Sequence, residues 1–176
     1  RLTIGMVSTA KYFVPQLLAR FAQEHQGVEL KLQVSQNREQ LVTLLQAGDH
    51  VLAAGALYGG SVTMLAVNLR KFGIQTTFVD ATDPAAFAAA MRPNTRAVFA
   101  ESLGNPSLVV LDIAAVAEVA HAHGVPLVVD NTVPSPALCC PIDFGADIVV
   151  HSATKYLAGH GTTLGGVIVE AGRFPW

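Results

Sequence analysis

Short apolar runs alternate along the chain with longer segments in which apolar residues recur every three to four positions. Runs such as PLVVD and DIVV are apolar throughout, which is typical of parallel strands covered on both faces. The longer segments, such as LDIAAVAEVAHAHG, have the period of an amphipathic helix. Repeated strand–helix alternation with right-handed crossovers predicts a three-layer α/β/α sandwich with a mostly parallel, Rossmann-like sheet.

The predicted strands and helices follow one another in regular order. Strands are predicted over LTIGMV, GVELKLQV, HVLAA, QTTFVD, TRAVFAES, VPLVVDNT, ADIVVHS and LGGVIVE, and helices over YFVPQLLARFAQEH, REQLVTLLQAG, GSVTMLAVNLRKFG, DPAAFAAAMR and LDIAAVAEVAHAHG. Asp83 is a good N-cap, Pro84 a good first helical residue, and Gly124 suits a helix end. Because no internal repeat is seen, we expect a single α/β domain over residues 1–176.

Composition narrows the classes of protein to which the chain can belong. Of its 176 residues, 51% are hydrophobic and 14% are charged, and the net charge is −2, which indicates a globular domain with a core. No basic face for nucleic acid is seen, and the apolar runs are too short and interrupted for a membrane span. The adjacent Cys139 and Cys140 suit neither a disulfide nor a metal site and favour the reducing cytoplasm. No metal site is predicted, because the histidines lack partner ligands at suitable spacing.

Polar segments follow the apolar strands at corresponding places. In open sheets of this kind, the ligand site lies beyond the carboxyl ends of the strands. The sequence has VSTAK, LYGGS, ESLGNP, DNT and HSATK directly after predicted strands. These polar residues are therefore expected to gather at one rim of the sheet and to form a single site.

The residue types at this rim suggest a particular chemistry. Taken alone, Lys155 is most simply a surface amine. It stands beside Ser152 and Thr154, whose hydroxyls suit a phosphate. An amine that is desolvated at the rim suits an aldehyde. Asp130, alternatively a capping or turn carboxylate, suits the protonated ring nitrogen of pyridoxal 5′-phosphate (PLP). Tyr58, alternatively an ordinary half-buried tyrosine, offers a ring to stack on a planar cofactor. Together, in this order along the chain, these residues predict a PLP site.

From about residue 46 to residue 176, the chain resembles the large domain of the Cys/Met-metabolism family of fold-type I PLP enzymes. The stretches that carry the resemblance are AGDHVLAAGALYGGS, FGIQTTFVD, ESLGNPSLVVLDI, AHAHGVPLVVDNT and GADIVVHSATKYLAGHGTTLGGVIVEAGRFPW. The resemblance implies that Lys155 is the Schiff-base lysine, that Asp130 contacts the pyridine nitrogen and that Tyr58 stacks on the ring. It also implies phosphate ligands at Ser152 and Thr154, and residues packed beside the ring at Asn105 and Thr132.

Residues 1–45 resemble the start of the effector-binding domain of LysR-type transcriptional regulators. The stretch is RLTIGMVSTAKYFVPQLLARFAQEHQGVELKLQVSQNREQLVTLL, in which Ser8 and Thr9 follow the first predicted strand. The resemblance implies that these hydroxyls form a loop that binds an anionic effector, and simple N-capping is the alternative. No winged helix-turn-helix is seen, so DNA binding is not predicted.

The two resemblances meet at LLQAGD, residues 44–49, and lead to the hypothesis of an engineered chimera. On this interpretation the chain is a fold-test protein without evolved activity, with a partial PLP site, because the family's N-terminal arm, phosphate-binding turn and small domain are expected to be missing. The first alternative is a PLP-dependent sulfur amino-acid enzyme, of the O-acetylhomoserine sulfhydrylase or cystathionine γ-synthase type, that uses Lys155. The second is a small-anion binding module that uses Ser8 and Thr9. Apolar surfaces that the truncation exposes are expected to allow a homo-oligomer.

Overall fold

An eight-stranded sheet forms the centre of the fold. The structure is a computed structural model that describes residues 2–6, 30–34 and 45–175. The strands are β1 (Leu2–Met6), β2 (Leu30–Val34), β3 (His50–Ala54), β4 (Gln75–Val79), β5 (Thr95–Glu101), β6 (Leu127–Asp130), β7 (Ile148–Ser152) and β8 (Gly166–Glu170). Their order is β2-β1-β8-β7-β6-β5-β3-β4. All neighbours are parallel except those of β8, which runs antiparallel to β1 and β7.

Helical segments connect the strands from β3 onward. They are α1 (Gly59–Thr63), which continues through a π-helical turn (Met64–Asn68) and a 3₁₀ turn (Leu69–Phe72), α2 (Pro84–Ala90), α3 (Ile113–Ala122), α4 (Ser135–Leu138) and a 3₁₀ turn (Pro141–Phe144). The predicted start of α2 is confirmed: Pro84 is its first residue, and the side chain of Asp83 accepts the N–H of Ala85 at 2.9 Å. This cap satisfies one of the N–H groups that a helix start leaves without an internal partner.

The direction in which the chain leaves the sheet changes between β3 and β5. From β3 the chain crosses to β4 on one side, whereas from β5 to β6 and from β6 to β7 it moves the other way. Because parallel crossovers are right-handed, α1 and α3 lie on opposite faces of the sheet. The loops that follow β3 and β5 therefore diverge, and the crevice between such loops is where open α/β sheets bind ligands.

Fully buried apolar side chains join the helices to the sheet. Phe87 of α2 and Val116 of α3 have no solvent exposure, and neither do Leu52, Val98 and Leu127 on β3, β5 and β6. Removing each such side chain from water contributes about 1.5–3 kcal/mol. This core holds the strands in place and thereby sets the positions of the residues at their ends.

One buried polar network lies at the amino-terminal ends of the strands, which we call the amino edge. His50, at the start of β3, has no solvent exposure, and its ring nitrogens lie 2.8 Å from Oγ1 of Thr95 and 2.9 Å from Oγ1 of Thr77. Burial lowers the pKa of His50, and the charge of Arg92 lowers it further. Both ring nitrogens therefore have partners, and the environment favours the neutral imidazole.

A second network at the amino edge is centred on Asp147, directly before β7. This buried carboxylate accepts the N–H of Leu127 at 2.8 Å, and the same oxygen lies 2.8 Å from Nε2 of His121 near the end of α3. One side chain thus joins α3, β6 and β7. Hydrogen bonds to a buried charged group are among the stronger ones in proteins, and breaking one leaves an unsatisfied partner.

The predicted strands are confirmed, and so is the mostly parallel α/β fold. Two details differ from expectation. The antiparallel direction of β8 was not predicted; it arises because the chain returns from β7 without the crossover helix that a parallel strand needs. The helix predicted over residues 60–73 contains π and 3₁₀ turns, and beside them Oγ1 of Thr76 donates to the carbonyl of Leu65 at 3.0 Å. The helices predicted over residues 12–25 and 38–48 fall mainly outside the described residues.

Candidate functional site

Polar side chains lie along the carboxyl-terminal ends of β5, β6 and β7, which we call the carboxyl edge. The register pairs Glu101 of β5 with Asp130 of β6, and Asp130 with Val150 of β7. Paired residues on neighbouring strands share a face, and side chains two positions apart on one strand do so as well. Glu101, Asp130 and Ser152 therefore line the same face of the sheet.

Thr132 connects Asp130 to the end of β7. Its N–H and its hydroxyl both donate to Oδ1 of Asp130, at 2.9 and 2.5 Å, and its hydroxyl oxygen accepts the N–H of Ser152 at 2.8 Å. Short hydrogen bonds from a hydroxyl to a carboxylate are of the strong, charge-assisted kind. Thr132 thus fixes one oxygen of Asp130, while Oδ2 has no hydrogen-bond partner within the described part of the chain.

The buried side chain of Asn131 fixes the turn between Asp130 and Thr132. Its Oδ1 accepts the hydroxyl of Ser102 at 2.7 Å, and its Nδ2 donates to the carbonyl of Cys139 at 2.8 Å. Its own carbonyl accepts Nδ1–H of His151 at 3.0 Å. Burial lowers the pKa of His151, and this hydrogen bond opposes the change. Asn131 therefore ties the end of β6 to both neighbouring strands.

Lys155 lies on a tight turn directly after β7. Its N–H donates to the carbonyl of Ser152 at 3.0 Å, and its carbonyl accepts the N–H of Gly159 at 2.9 Å. The side chain is exposed, so the desolvated setting expected from the sequence is not seen. The hydroxyl of Thr154 accepts the N–H of Gly165 at 3.0 Å and lies 3.3 Å from its carbonyl, which leaves Ser152 as the hydroxyl with spare capacity in this turn.

Tyr58 lies across the crevice, in the loop after β3. Its N–H donates to Oε1 of Glu101 at 2.7 Å, and its side chain is 56% exposed. The ring lies over Gly60, where an added Cβ would stand 2.6 Å from Cε1 of the tyrosine. Asn105, in the loop after β5, is also exposed, and its N–H donates to Oε2 of Glu101 at 3.3 Å.

Glu101 was not singled out from the sequence, although its carboxylate accepts hydrogen bonds from two loops of this edge. Burial raises the pKa of Glu101; the hydrogen bond from Tyr58 opposes that rise, and the charge of Asp130 adds to it. A usable signal was present, because an acidic residue that ends the apolar run AVFA at a ligand-binding edge is unusual. Sequence analysis also did not identify the supporting residues Ser102, Asn131 and His151.

Some expected features fall elsewhere or are not seen. Ser8 and Thr9 lie outside the described residues. Within residues 2–6, 30–34 and 45–175, no group of three or more His, Cys, Asp or Glu side chains is arranged to hold a metal ion. In those same ranges, no helix is long and apolar enough to cross a membrane.

Comparison with known families identifies the chain at the level of its family. The model of the Cys/Met metabolism PLP-dependent enzymes matches residues 14–176. The chain belongs to this family. O-acetyl-L-homoserine sulfhydrylase of Leptospira meyeri is 52% identical to this family member over 136 residues, and homocysteine synthase of Schizosaccharomyces pombe is 53% identical over 137 residues. Each match covers 77% of this chain but only 31% and 32% of the relatives, so the chain spans about a third of their length.

Solved structures of the family share the fold. One is cystathionine γ-lyase from Lactobacillus plantarum in complex with L-serine. The match covers 75% of this chain and 35% of the lyase chain, with a TM-score of 0.72 and 42% identity. An O-acetylhomoserine (thiol)-lyase from Campylobacter jejuni, solved with N′-pyridoxyl-lysine-5′-monophosphate, matches 76% of this chain and 33% of its own. Its TM-score is 0.74 and its identity 36%.

The interpretation of the chain as an engineered chimera without evolved activity is wrong. The family match extends from residue 14 to residue 176, across the expected joint at residues 44–49 and through most of the segment assigned to a LysR-type domain. That segment misled because a strand followed by Ser or Thr and an amphipathic helix is common to many α/β proteins. The alternative of a small-anion binding module is not tested, because Ser8 and Thr9 lie before the matched region and outside the described residues.

The expectation that the chain does not belong to an enzyme is also wrong. Its relatives are enzymes by name, among them the sulfhydrylase, the synthase and the L-methionine γ-lyase of Porphyromonas gingivalis, which is 47% identical over 126 residues. The alternative of a PLP-dependent sulfur amino-acid enzyme agrees better with the family. PLP is the cofactor of this family.

The residues of the carboxyl edge fit PLP in their chemistry. A carboxylate with one oxygen fixed by Thr132 and the other oxygen available suits a protonated ring nitrogen, and Asp130 is such a group. The hydroxyl of Ser152 suits a phosphate oxygen, the amine of Lys155 an aldehyde, and the exposed ring of Tyr58 an aromatic face. All four lie on strand ends or loops of a single edge.

Proposed function

We propose that this chain is the PLP-binding part of a sulfur amino-acid enzyme of the O-acetylhomoserine sulfhydrylase and homocysteine synthase type. The observation that carries the proposal is the Asp130–Thr132–Ser152 connection at the carboxyl edge, directly beside Lys155. Identities of 52% and 53% to enzymes with these names support the substrate class. The substrate is then O-acetyl-L-homoserine, whose acetate group is replaced by sulfide.

Each residue has a separate part in this proposal. Lys155 supplies the amine that binds the aldehyde of the cofactor, and Asp130 keeps a proton on the ring nitrogen. Ser152 and Thr154 face the phosphate, the second after exchanging its bond to Gly165.

Tyr58 stacks on one side of the ring, and Asn105 and Thr132 pack beside it. When bound, PLP supplies an electron sink for the carbon that carries the substrate's amino group.

Three further expectations belong to the same proposal. Exposed apolar side chains such as Val110, Leu138 and Leu164 support self-association of the chain into a homo-oligomer. The thiols of Cys139 and Cys140 are both free, which supports a reducing compartment such as the cytoplasm. The continuous sheet supports one domain over residues 1–176.

Titration of the purified chain with PLP tests the cofactor site. We expect a visible absorbance band that survives desalting and disappears in Lys155→Ala. Lys71→Ala is the matched control, because Lys71 is also exposed but lies in the 3₁₀ turn after α1. A band of equal strength in Lys155→Ala, or none in a folded unmodified chain, would contradict the proposal.

The substrate is tested separately, by supplying O-acetyl-L-homoserine and sulfide to the chain loaded with PLP. We expect homocysteine and acetate in equal amounts. The relatives named γ-lyases make elimination the competing reaction. Ammonia and an α-keto acid released without sulfide would replace the sulfhydrylase assignment by a lyase.

A further inference from the structure

The carboxyl group of Glu101 joins the two loops that border the crevice. Oε1 accepts the N–H of Tyr58, at 2.7 Å, from the loop after β3, and Oε2 accepts the N–H of Asn105, at 3.3 Å, from the loop after β5. The hydroxyl of Ser61 lies 3.5 Å from Oε1. Each carboxylate oxygen therefore serves a different loop, and the side chain itself is only 7% exposed.

The two loops also touch each other. A Cβ placed on Gly104, in the loop after β5, would stand 2.9 Å from the carbonyl oxygen and 3.1 Å from the Cβ of Ala56, in the loop after β3. Only glycine permits this approach without a shift of backbone atoms. Glu101, which accepts one backbone N–H from each loop, is placed to hold this contact.

The partners of Glu101 show what kind of role it has. Glu101 takes part in neither the Arg96–Asp49 nor the His121–Asp147 ion pair. Its recorded partners are backbone N–H groups and one hydroxyl, all of them donors. A buried carboxylate among donors from two separate loops acts as a bridge between those loops.

We propose that Glu101 is a positioning residue that holds the loops carrying Tyr58 and Asn105 at the separation needed to receive the ring of PLP. The inference rests on the proposed function, since the ring is what the two loops border. Glu101 acts through the backbone of both loops and does not itself bind the cofactor. Its pairing with Asp130 in the sheet register places this bridge directly beside the carboxylate assigned to the ring nitrogen.

Amide hydrogen exchange tests the bridge without any cofactor. In Glu101→Ala, we expect the amides of Tyr58 and Asn105 to exchange about tenfold faster or more, because each loses an acceptor. The amide of Leu127, which donates to Asp147, is the internal reference and should not change. Glu101→Gln keeps one acceptor oxygen at the same reach, so protection should be retained at one of the two amides.

PLP binding tests whether the bridge matters to the site. We expect the dissociation constant of PLP to rise about tenfold in Glu101→Ala, with a weaker visible circular dichroism of the bound cofactor, and to be partly rescued in Glu101→Gln. Glu118→Ala and Glu118→Gln are matched controls, because Glu118 is exposed on α3 and far from the crevice in sequence and topology. Both should bind PLP as the unmodified chain does.

The outcomes separate the bridge from the proposed function. Unchanged exchange at Tyr58 and Asn105 in folded Glu101→Ala would overturn the inference, and so would faster exchange with unchanged PLP affinity. Faster exchange together with weaker binding and rescue by Gln would support it. If the unmodified chain bound no PLP, the proposed function would fail. The role of Glu101 in positioning the loops for PLP would then fail as well, whatever the amide exchange rates of Tyr58 and Asn105.

Discussion

The two edges of the sheet are both polar, but they use their polar groups differently. At the amino edge, His50 and Asp147 are buried, and both ring nitrogens of His50 and Oδ2 of Asp147 are bound to other protein groups. At the carboxyl edge, Glu101 and Asn131 are bound at both of their polar atoms, but other side chains keep bonding capacity. Thr132 occupies one oxygen of Asp130, and the side chains of Tyr58 and Lys155 extend into solvent.

The difference separates polar groups that stabilise a fold from polar groups that bind something else. A buried network contributes to stability only when its members satisfy one another. A binding site needs groups that are held in position and still have bonding capacity left. Substitutions of His50 or Asp147 should therefore lower stability and leave PLP affinity unchanged, and substitutions of Asp130 or Lys155 should do the reverse.

The largest effect is expected at Asp147. Replacing Asp147 by Ala leaves the N–H of Leu127 without its buried acceptor and frees His121, so the free energy of unfolding should fall by about 3 kcal/mol. Urea denaturation measures this change. Asp143→Ala, at an exposed position in a 3₁₀ turn, is the control and should change stability by less than about 0.5 kcal/mol. Equal stability of the two variants would contradict the closed-network account.

Asp130→Asn should show the opposite behaviour. The amide still accepts from Thr132, so the free energy of unfolding should change by less than about 1 kcal/mol. PLP affinity should fall by about tenfold to a hundredfold, because a neutral amide does not keep a proton on the ring nitrogen. PLP titration and urea denaturation of the same variant give both values. Loss of stability without loss of affinity would show that Asp130 belongs with the structural networks.

As the pH falls below neutral, buried histidines should lower stability, whereas Glu101, whose pKa is raised by burial, should act in the opposite direction. The pKa of His50 is lowered in the folded state. Well above about pH 6.5, the side chain is therefore neutral in both the folded and the unfolded state and does not change the free energy of unfolding with pH. As the pH falls below that value, the unfolded chain binds a proton first, and the free energy of unfolding should decrease by up to about 1.4 kcal/mol per pH unit. The decrease ends once the pH passes below the folded-state pKa.

Urea denaturation at several pH values checks this slope. His151, whose pKa is also lowered by burial, should add to it in the same direction. Replacing His50 by Gln should reduce the slope. An unchanged slope in this variant would show that His50 is not the group responsible.

The smallest effect is expected at Gly60. A Cβ there would collide with the ring of Tyr58, so Gly60→Ala should displace the ring and weaken PLP binding by about threefold, within the range of one aromatic contact. Gly59→Ala is the matched control, because a Cβ at Gly59 meets no atom within 4 Å. Equal PLP affinities of the two variants would mean that the position of the ring does not contribute.

The sequence predicted the strands well because their apolar runs are short, regular and bounded by turn residues. The carboxyl edge could be located as well, since polar residues such as Asp130 and Ser152 end those runs. What the sequence did not reveal was direction and pairing. The antiparallel return of β8 and the link from Thr132 to both Asp130 and Ser152 depend on which strands lie side by side.

Glu101 shows the limit most clearly. In the sequence it is one acidic residue at the end of a strand, and nothing nearby names its partners. Those partners, Tyr58 and Asn105, lie 43 residues before it and four residues after it. The error over residues 1–45 has the opposite cause, because a generic strand–helix pattern was taken for the mark of a particular family.

The most direct test of the account is to find which lysine binds PLP. The chain has four lysines, Lys11, Lys31, Lys71 and Lys155. After incubation with PLP, reduction with borohydride and proteolysis, mass spectrometry locates the pyridoxyl group. We expect it on Lys155, with little on the other three. A label spread evenly over the lysines, or one concentrated at Lys71, would contradict the claim that the carboxyl edge is the cofactor site.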